Sequence, residues 1–311
     1  MTAPPGGRIS AAKISAYWEL GKPRLSAMAV LAVVAGAYMA WPSPRSGPPL
    51  DLLIVTTLGT FLAAIGSAAL NMYRERHLDP LMQRTQGRPL PTGRLAPGEV
   101  LVFGAAASLC GVLLVLFGAA PLRGDGSRVL GDLNWTAAIV CAGIVVSYVA
   151  VYTPMKVRTP LNTLVGAIPG ALPPVVGHAA VVGQFTVAQA VLFAILFCWQ
   201  IPHFLAIAWR YRDDYARAGM RMLPVVDPTG HRTAIVMLLY TAGLGIASLL
   251  PFVLRMAGQR YAVLALLLDA IFFVPILFAA MTRREKAMRM TFLTSIVYLP
   301  LLLLAMVWDR L

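Results

Sequence analysis

Long apolar stretches without a charged residue alternate along this chain with short polar segments. A membrane-spanning helix needs about 20 apolar residues, and most of these stretches reach that length. The uninterrupted stretches are 25–44, 52–73, 100–122, 133–155, 233–254 and 290–308. The longer stretch 159–209 divides near 177–183 into two spans, and 261–282 is interrupted only by Asp269, which we expect to pair with another buried polar group. The pattern predicts an all-α polytopic membrane protein with nine transmembrane helices.

The first 24 residues differ from the rest of the chain. They begin with prolines and glycines and become amphipathic over 9–20, a pattern typical of a helix that lies in the membrane interface. We therefore expect residues 1–24 to form a cytoplasmic or interfacial N-terminal segment. Residues 25–311 are expected to form a single transmembrane domain.

Composition and charge support a membrane protein and predict its orientation. The chain is 59% hydrophobic and only 13% charged, whereas about 25% of residues are charged in ordinary soluble domains. Of its 26 lysines and arginines, 20 fall before the first span or in alternate loops, and positively charged loops face the cytoplasm. This bias predicts a cytoplasmic N-terminus and an external C-terminus. It also accounts for most of the net charge of +13, so no nucleic acid partner is needed.

The segment 71–90 carries the strongest chemical signal. Asn71, Glu75 and Asp79 are spaced four apart, so on a continuing helix they share one face. Pro80 disfavours helical backbone at Asp79, which predicts that the helix ends there and leaves these side chains exposed at the lip of the membrane. Four arginines follow or interleave, at 74, 76, 84 and 88. Carboxylates that hold Mg²⁺ beside guanidiniums that hold phosphate oxygens would suit a magnesium-bridged diphosphate.

Two further segments fall on the same predicted side of the membrane. In 152–174, Lys156 and Arg158 lie in a turn between prolines, and three prolines then break a predicted helix. Broken backbone within a membrane is tolerated where it is buried or lines a cavity. In 199–219, the polar residues Gln200 and His203 precede the acidic pair Asp213 and Asp214. The segments 71–90 and 199–219 each combine acidic and basic residues at the same predicted membrane face, which predicts a shared site.

These three segments resemble the UbiA superfamily of intramembrane prenyltransferases. Asn71, Glu75 and Asp79 match its Asn-x-x-x-Asp-x-x-x-Asp signature, with Glu in place of the first Asp. The blocks at 82–90, 152–166, 199–204, 214–219 and 222–226 resemble the protohaem IX farnesyltransferase branch in particular. Two positions depart from the pattern: His77 stands where many members of the branch have Asp, and the second acidic motif is an adjacent pair.

The resemblance implies a helical bundle with a central cavity open near the inner face, in the inner membrane of a bacterium. It implies transfer of a farnesyl group from farnesyl diphosphate to a vinyl group of haem b, a substrate, followed by addition of water to give haem O. Mg²⁺ is the implied cofactor. A haem A synthase or an oxidase assembly factor would be the partner that receives the product.

Each site residue has a predicted role. The predicted magnesium ligands are Asn71, Glu75 and Asp79 for one ion, and Asp214 with Asp213 for a second ion or the same one. The predicted diphosphate-binding residues are Arg84, Arg88, Lys156, Arg158 and Arg212. Tyr152, with Tyr73 and Tyr211, is a candidate for shielding a carbocation with its aromatic face. His203 would face the haem iron or a propionate, or else bond a neighbouring helix as a satisfied polar residue.

Two other functions are compatible with parts of the pattern. A prenyltransferase that acts on an aromatic quinone precursor would share the superfamily signature. A polytopic transporter would also carry broken helices and intramembrane polar residues, although its site is expected near the midplane and between repeated halves. The charged clusters here lie at one membrane face, which favours the enzyme.

Overall fold

The computed structural model of the protein describes residues 11–43 and 45–311, and within these ranges it contains helices and loops but no β-strand. The helices are α1 (Ala11–Leu20), α2 (Pro23–Ala40), α3 (Leu50–Glu75), α4 (Pro97–Gly118), α5 (Trp135–Val146), α6 (Thr153–Met155), α7 (Asn162–Ala171), α8 (Pro173–Val182), α9 (Val187–Arg210), α10 (Arg212–Arg217), α11 (Leu223–Val226), α12 (His231–Val253), α13 (Gln259–Thr282) and α14 (Glu285–Trp308). A π-helical segment, Ser147–Tyr152, joins α5 to α6, and a 3₁₀ turn follows α3 at Asp79–Leu81.

Among the described residues, 8 helices are long and apolar enough to cross a membrane. They are α3, α4, the continuous run Trp135–Met155, the run Asn162–Val182, α9, α12, α13 and α14. The apolar part of α2, Met28–Ala40, is shorter. The protein is therefore a multi-pass, all-helical membrane protein, as the hydrophobic pattern predicts. A ninth span at α2 and the orientation of the termini stay predictions; the "inner end" below is the end that the charge bias assigns to the cytoplasm.

The helix pair α7–α8 is interrupted within the membrane-spanning run. The interruption falls at Leu172, between Ala171 and Pro173. Proline lacks an amide hydrogen and clashes with the preceding turn, so the prolines predict this break. Helix α8 is buried over nearly its whole length and packs against α2. Two glycines permit the close approach: a Cβ on Gly177 would lie 1.9 Å from the carbonyl oxygen of Val33, and one on Gly36 would lie 2.0 Å from that of Pro174.

Gly177→Ala is expected to destabilise the protein, because the new methyl group forces α8 away from the α2 backbone. Overpacking of this kind costs about 1–3 kcal/mol. Gly245→Ala in α12 is the matched control, since a Cβ there meets no atom within 4 Å. That control should be neutral or slightly stabilising, because alanine is a better helix former than glycine. Thermal unfolding of both purified variants in detergent tests the difference, and equal melting temperatures would contradict the tight crossing.

Asp269 lies on a span and is held by polar groups from both neighbouring helices. The Ser248 hydroxyl of α12 donates to Asp269 Oδ2 at 2.6 Å, and the Tyr298 hydroxyl of α14 donates to Oδ1. The expectation that this carboxyl group pairs with buried polar residues is confirmed. An ionisable group within a membrane is costly unless it is satisfied in this way, so the contact fixes α12, α13 and α14 together.

Helix α1 lies against the inner end of α3. Ala16 and Leu20 are buried in a cluster that includes Met72, whereas Ile14 and Trp18 are exposed. A helix with one buried and one exposed apolar side suits the membrane interface that the sequence predicts for it.

Candidate active site

The inner end of α3 is bonded to the turn at α6 by two polar contacts. Asn71 Nδ2 donates to the Thr153 hydroxyl at 3.1 Å, and one helical turn later Glu75 Oε1 accepts from Lys156 Nζ at 2.6 Å. Asn71 and Glu75 are 1% and 4% exposed. The four-residue spacing thus places both side chains on one face of α3, as predicted, and both contact the same neighbouring segment.

Asp79 also lies beside Glu75, but in a turn after the end of α3 and not on the helix itself. Helix α3 ends at Glu75, one turn before the end that Pro80 predicts, and Asp79 begins the 3₁₀ turn. A bond from the Leu78 amide to the Glu75 carbonyl turns the chain. Asp79 Oδ1 then accepts from Arg88 Nη1 at 2.7 Å, and this nitrogen lies 4.0 Å from Glu75 Oε2. Arg88 therefore joins the two carboxylates.

Asn71, Glu75 and Asp79 are buried, whereas the sequence predicted that they are exposed at the membrane surface. Asp79 is fully buried, and its Oδ2 is an oxygen without a hydrogen-bond partner in the described part of the chain. Burial raises the pKa of Asp79 above its ordinary value, although Arg88 acts in the opposite direction. The nearby cations thus do not fully offset the cost of burying the charge of Asp79. The unpaired Oδ2 can therefore accept a proton or a metal ion.

Lys156 supplies a permanent positive charge to the cluster. Burial acts to lower the pKa of Lys156, but the Glu75 carboxylate outweighs it, and the pKa is raised above its ordinary value. The ammonium nitrogen also lies 4.7 Å from the centre of the Tyr152 ring. Of the three candidate shielding aromatics, Tyr152 therefore lies at the cluster. Tyr73 packs toward α1, and Tyr211 lies beneath Arg84.

Lys22 is a further member that the sequence prediction missed. It immediately precedes α2, and the charges acting on it are those of Arg88, Lys156, Glu75 and Arg84. Burial, followed by Arg88 and Lys156, lowers the pKa of Lys22 from 10.5 to about 7. Its φ of 44° places it in the left-handed region, which is unfavourable for a residue with a side chain and is often found at functional sites. In the sequence, the only signal was a lysine directly before the proline that starts a span.

Asp214 supports the loop that carries Arg88. Its Oδ1 accepts from the Gln83 amide at 3.2 Å, its Oδ2 accepts from the Arg84 amide at 3.3 Å, and it forms an ion pair with Arg217. On the other side of the loop, Arg94 Nη2 donates to Glu19 Oε2 at 2.7 Å. The two acidic segments therefore meet, as predicted, and in this structure they do so through the loop 82–94.

Asp214→Asn is expected to loosen this loop, because the new amide group presents N–H to a backbone N–H and one buried donor loses its acceptor. A lost bond of this kind costs about 1–3 kcal/mol. Hydrogen exchange of the amides at 82–88 should accelerate. Asp213→Asn is the matched control, because the Asp213 side chain is 86% exposed and should leave the exchange unchanged. Equal acceleration in both variants would contradict the bracing role of Asp214.

Several predicted site residues lie outside the cluster. Asp213 lies 3.9 Å from Arg212, and Arg212 lies over the Trp209 ring. Arg158 is exposed. Arg84 lies over the rings of Tyr211 and Tyr215, at the edge of the loop. Of the five predicted diphosphate-binding residues, Arg88 and Lys156 thus have side chains that contact Glu75 or Asp79.

His203 lies between α9 and α14. Its Nδ1 is 2.6 Å from the Ser295 hydroxyl, and its ring stacks on that of Trp199 at 5.0 Å. These contacts match the alternative in which His203 is a satisfied polar residue that bonds a neighbouring helix.

The five predicted magnesium ligands are also divided. Among the described residues, no three His, Cys, Asp or Glu side chains are grouped so that they could hold a metal ion. In this structure Asp214 binds the loop 82–94 and Asp213 is exposed, so their predicted role, holding a second magnesium ion or sharing one with Glu75 and Asp79, stays a prediction. What remains is Asn71, Glu75 and Asp79, with one unpaired carboxylate oxygen.

Comparison with known proteins places this arrangement in a family context. Residues 29–297 match the model of the UbiA prenyltransferase family. A protein from Solibacter usitatus named protoheme IX farnesyltransferase is 43% identical over 94% of this chain and 98% of its own length. A protein of the same name from Opitutus terrae is 40% identical over 97% of both chains.

Solved structures share the fold at low sequence identity. A structure described as digeranylgeranylglyceryl phosphate synthase superposes with a TM-score of 0.75 at 16% identity, over 96% of this chain and 98% of the other. A UbiA homolog from Archaeoglobus fulgidus bound to DMAPP and Mg²⁺ superposes with a TM-score of 0.63 at 16% identity, over 93% and 98%. These likenesses concern the arrangement of helices.

Proposed function

Because the chain belongs to the UbiA prenyltransferase family, we propose that it transfers a farnesyl group from farnesyl diphosphate to a vinyl group of haem b and so makes haem O. The near full-length relatives named protoheme IX farnesyltransferase support this substrate pair, since they share 43% and 40% of their residues with the chain. The chain is thus a prenyltransferase of the membrane. A bacterial inner membrane is the proposed location.

One observation carries the proposal: two buried carboxylates contact two basic side chains at the inner ends of the helices, and the charge of Lys22 acts on the same groups. Glu75 and Asp79 contact Lys156 and Arg88 at 2.6 and 2.7 Å, and Lys22 lies within range of the same charges. With Lys22 protonated, cations outnumber carboxylates. The cluster therefore favours a strongly anionic ligand, and guanidinium and ammonium groups are the donors that bind phosphate oxygens.

The donor set also fits Mg²⁺, provided that the ion arrives with the diphosphate. Asn71, Glu75 and Asp79 would hold it, since they supply the hard oxygen ligands that this ion prefers, and Asp79 Oδ2 is unpaired. A bare divalent cation would be repelled by the three basic side chains, whereas a magnesium–diphosphate unit brings compensating negative charge. When bound, the metal supplies positive charge to the leaving group.

The chemistry requires that charge build up on the diphosphate. The bond between C1 of the farnesyl group and the diphosphate oxygen breaks, and its electron pair leaves with the diphosphate, where Arg88, Lys156 and Lys22 would stabilise it. The vinyl π electrons then form the new carbon–carbon bond to C1. Water adds to the resulting cation on the haem side and loses a proton, which leaves a hydroxyl group. Fixed charges in a buried site can supply several kcal/mol to such a step.

Tyr152 is proposed to shield the allylic cation. Its ring lies beside Lys156 at the cluster, and an aromatic face attracts a cation without offering a nucleophile. The apolar spans around the site supply the environment that a farnesyl chain needs.

The two alternatives predict different products. Incubation of the purified chain with farnesyl diphosphate, Mg²⁺ and haem b should yield haem O, detected by mass and by its absorption spectrum. Prenylation of 4-hydroxybenzoate in place of haem b would transfer the proposal to the quinone-precursor enzymes. Uptake of a solute into vesicles without prenylation would support the transporter. A haem A synthase or an oxidase assembly factor is the proposed recipient, since haem O is apolar and needs a membrane acceptor.

A further inference from the structure

A small cavity lies between the inner ends of α9 and α14, apart from the carboxylate cluster. Its volume is about 50 Å³, and Ile207, Met288 and Phe292 form its apolar walls. Arg210 and Arg289 lie at its edge, one from each helix. A cavity needs roughly 10–15 Å³ to hold a water molecule, so this one, a few times larger, has room for a small polar group such as a carboxylate.

The charges at this cavity are unbalanced. Arg210 and Arg289 are exposed, and within the described part of the chain neither has a carboxylate within 4.0 Å; Arg210 only lies over the Tyr211 ring at 5.6 Å. Glu285 also lines the cavity but forms no ion pair with either arginine. Two guanidiniums that line one cavity from facing helices can bind an anion, and their planar donor sets match a carboxylate.

Tyr211 connects the cavity to the loop 82–94, which carries Arg88 of the carboxylate cluster. This residue lines the cavity, and its ring also lies 5.3 Å from the guanidinium carbon of Arg84 in the loop 82–94. On the other side, the Phe292 ring is 5.1 Å from the His203 ring. An anion bound here would therefore lie among aromatic rings, beside the loop that carries Arg88 of the carboxylate cluster.

We propose that Arg210 and Arg289 bind a propionate carboxylate of the haem acceptor and so position its ring system. The inference rests on the proposed function. Protohaem carries both carboxylates on one edge and both vinyl groups on the opposite edge, so anchoring the propionate edge directs a vinyl group away from the arginines. The macrocycle is too large for the cavity, which therefore receives only a carboxylate.

The test is a binding titration that does not depend on turnover. Protohaem IX and its dimethyl ester are each titrated into the purified full-length chain without farnesyl diphosphate, and binding is followed by absorption. The wild-type chain should bind the free acid about tenfold or more tightly than the diester, since one charge-assisted contact of this kind is worth about that factor. Arg210→Gln with Arg289→Gln should lose this preference, and the lysine double variant should recover part of it.

Arg232→Gln is the matched control, because Arg232 is another exposed arginine at the inner end but does not line the cavity. It should retain the preference for the free acid. If the double glutamine variant also retains it, the inference is wrong, whereas failure of the wild-type chain to make haem O would overturn the proposed function instead. If the double variant loses bound phosphatidylglycerol in nanodiscs but keeps the preference, the arginines bind a lipid headgroup and the inference is again wrong.

Discussion

Replacement of Asp79 by asparagine is expected to lower kcat for haem O formation about 10²- to 10³-fold with little change in stability. Asparagine keeps the oxygen that accepts the bond from Arg88. It replaces only Oδ2, which has no partner in the described part of the chain and which we assign to magnesium. The magnesium concentration that gives half-maximal rate should rise in parallel, as measured in a magnesium series at saturating farnesyl diphosphate.

Asp51→Asn is the matched control for this experiment. Asp51 lies at the opposite end of the same helix, α3, where its carboxylate pairs with Arg128 at 3.1 Å. The same chemical change there should leave the rate and its magnesium dependence unaltered. An Asp79→Asn enzyme with normal kcat and normal magnesium dependence would show that Oδ2 does not contact the metal.

Binding of farnesyl diphosphate is expected to take up a proton above pH 7, because the pKa of Lys22 is lowered to about 7 in the free protein. A bound diphosphate favours the protonated ammonium and raises that pKa again. The affinity should therefore weaken as the pH rises, by up to about tenfold per unit. Titration calorimetry at pH 8 in two buffers of different ionisation enthalpy measures the proton uptake directly.

The lowered pKa of Lys22 also makes the stability of the fold depend on pH. The ordinary pKa of lysine, 10.5, applies to the unfolded chain, so between about 7 and 10.5 the unfolded chain holds the proton more tightly than the folded one. The free energy of unfolding should consequently rise with pH across this window. Lys22→Met should abolish the proton uptake, while Lys286→Met, at an exposed position of α14, should not. Proton uptake that persists in Lys22→Met would assign it to another group.

Tertiary structure decided which residue of the acidic pair, Asp213 or Asp214, contacts the loop 82–94. Asp213 and Asp214 are chemically identical neighbours, and only the resemblance of the block 214–219 favoured Asp214 over Asp213. In the structure Asp214 is buried and binds two amides of the loop 82–94, whereas Asp213 is exposed. Successive residues on a helix point in directions about 100° apart, so only the packing of α10 against that loop decides which of the two is used.

The end of α3 gives a second example. Pro80 restricts the backbone of Asp79 and so sets the latest position at which the helix can end, but it does not prevent an earlier end. The chain leaves the helix at Glu75, and the bond from the Thr85 hydroxyl to the Asp79 carbonyl closes the following turn. Asp79 therefore approaches Glu75 and Arg88 from a turn, a geometry that helical spacing alone does not predict.

The sequence by itself determined that the protein is a helical membrane protein and that Asn71 and Glu75 share one face of α3. These features depend on local periodicity and on the length of apolar stretches, which are properties of neighbouring residues. Only the tertiary structure decided that Lys22 joins the cluster, that His203 bonds Ser295 and that Asp214 braces a loop. Each of these depends on contacts between residues far apart in the chain, such as the 130 positions between Arg84 and Asp214, and local pattern carries no information about them.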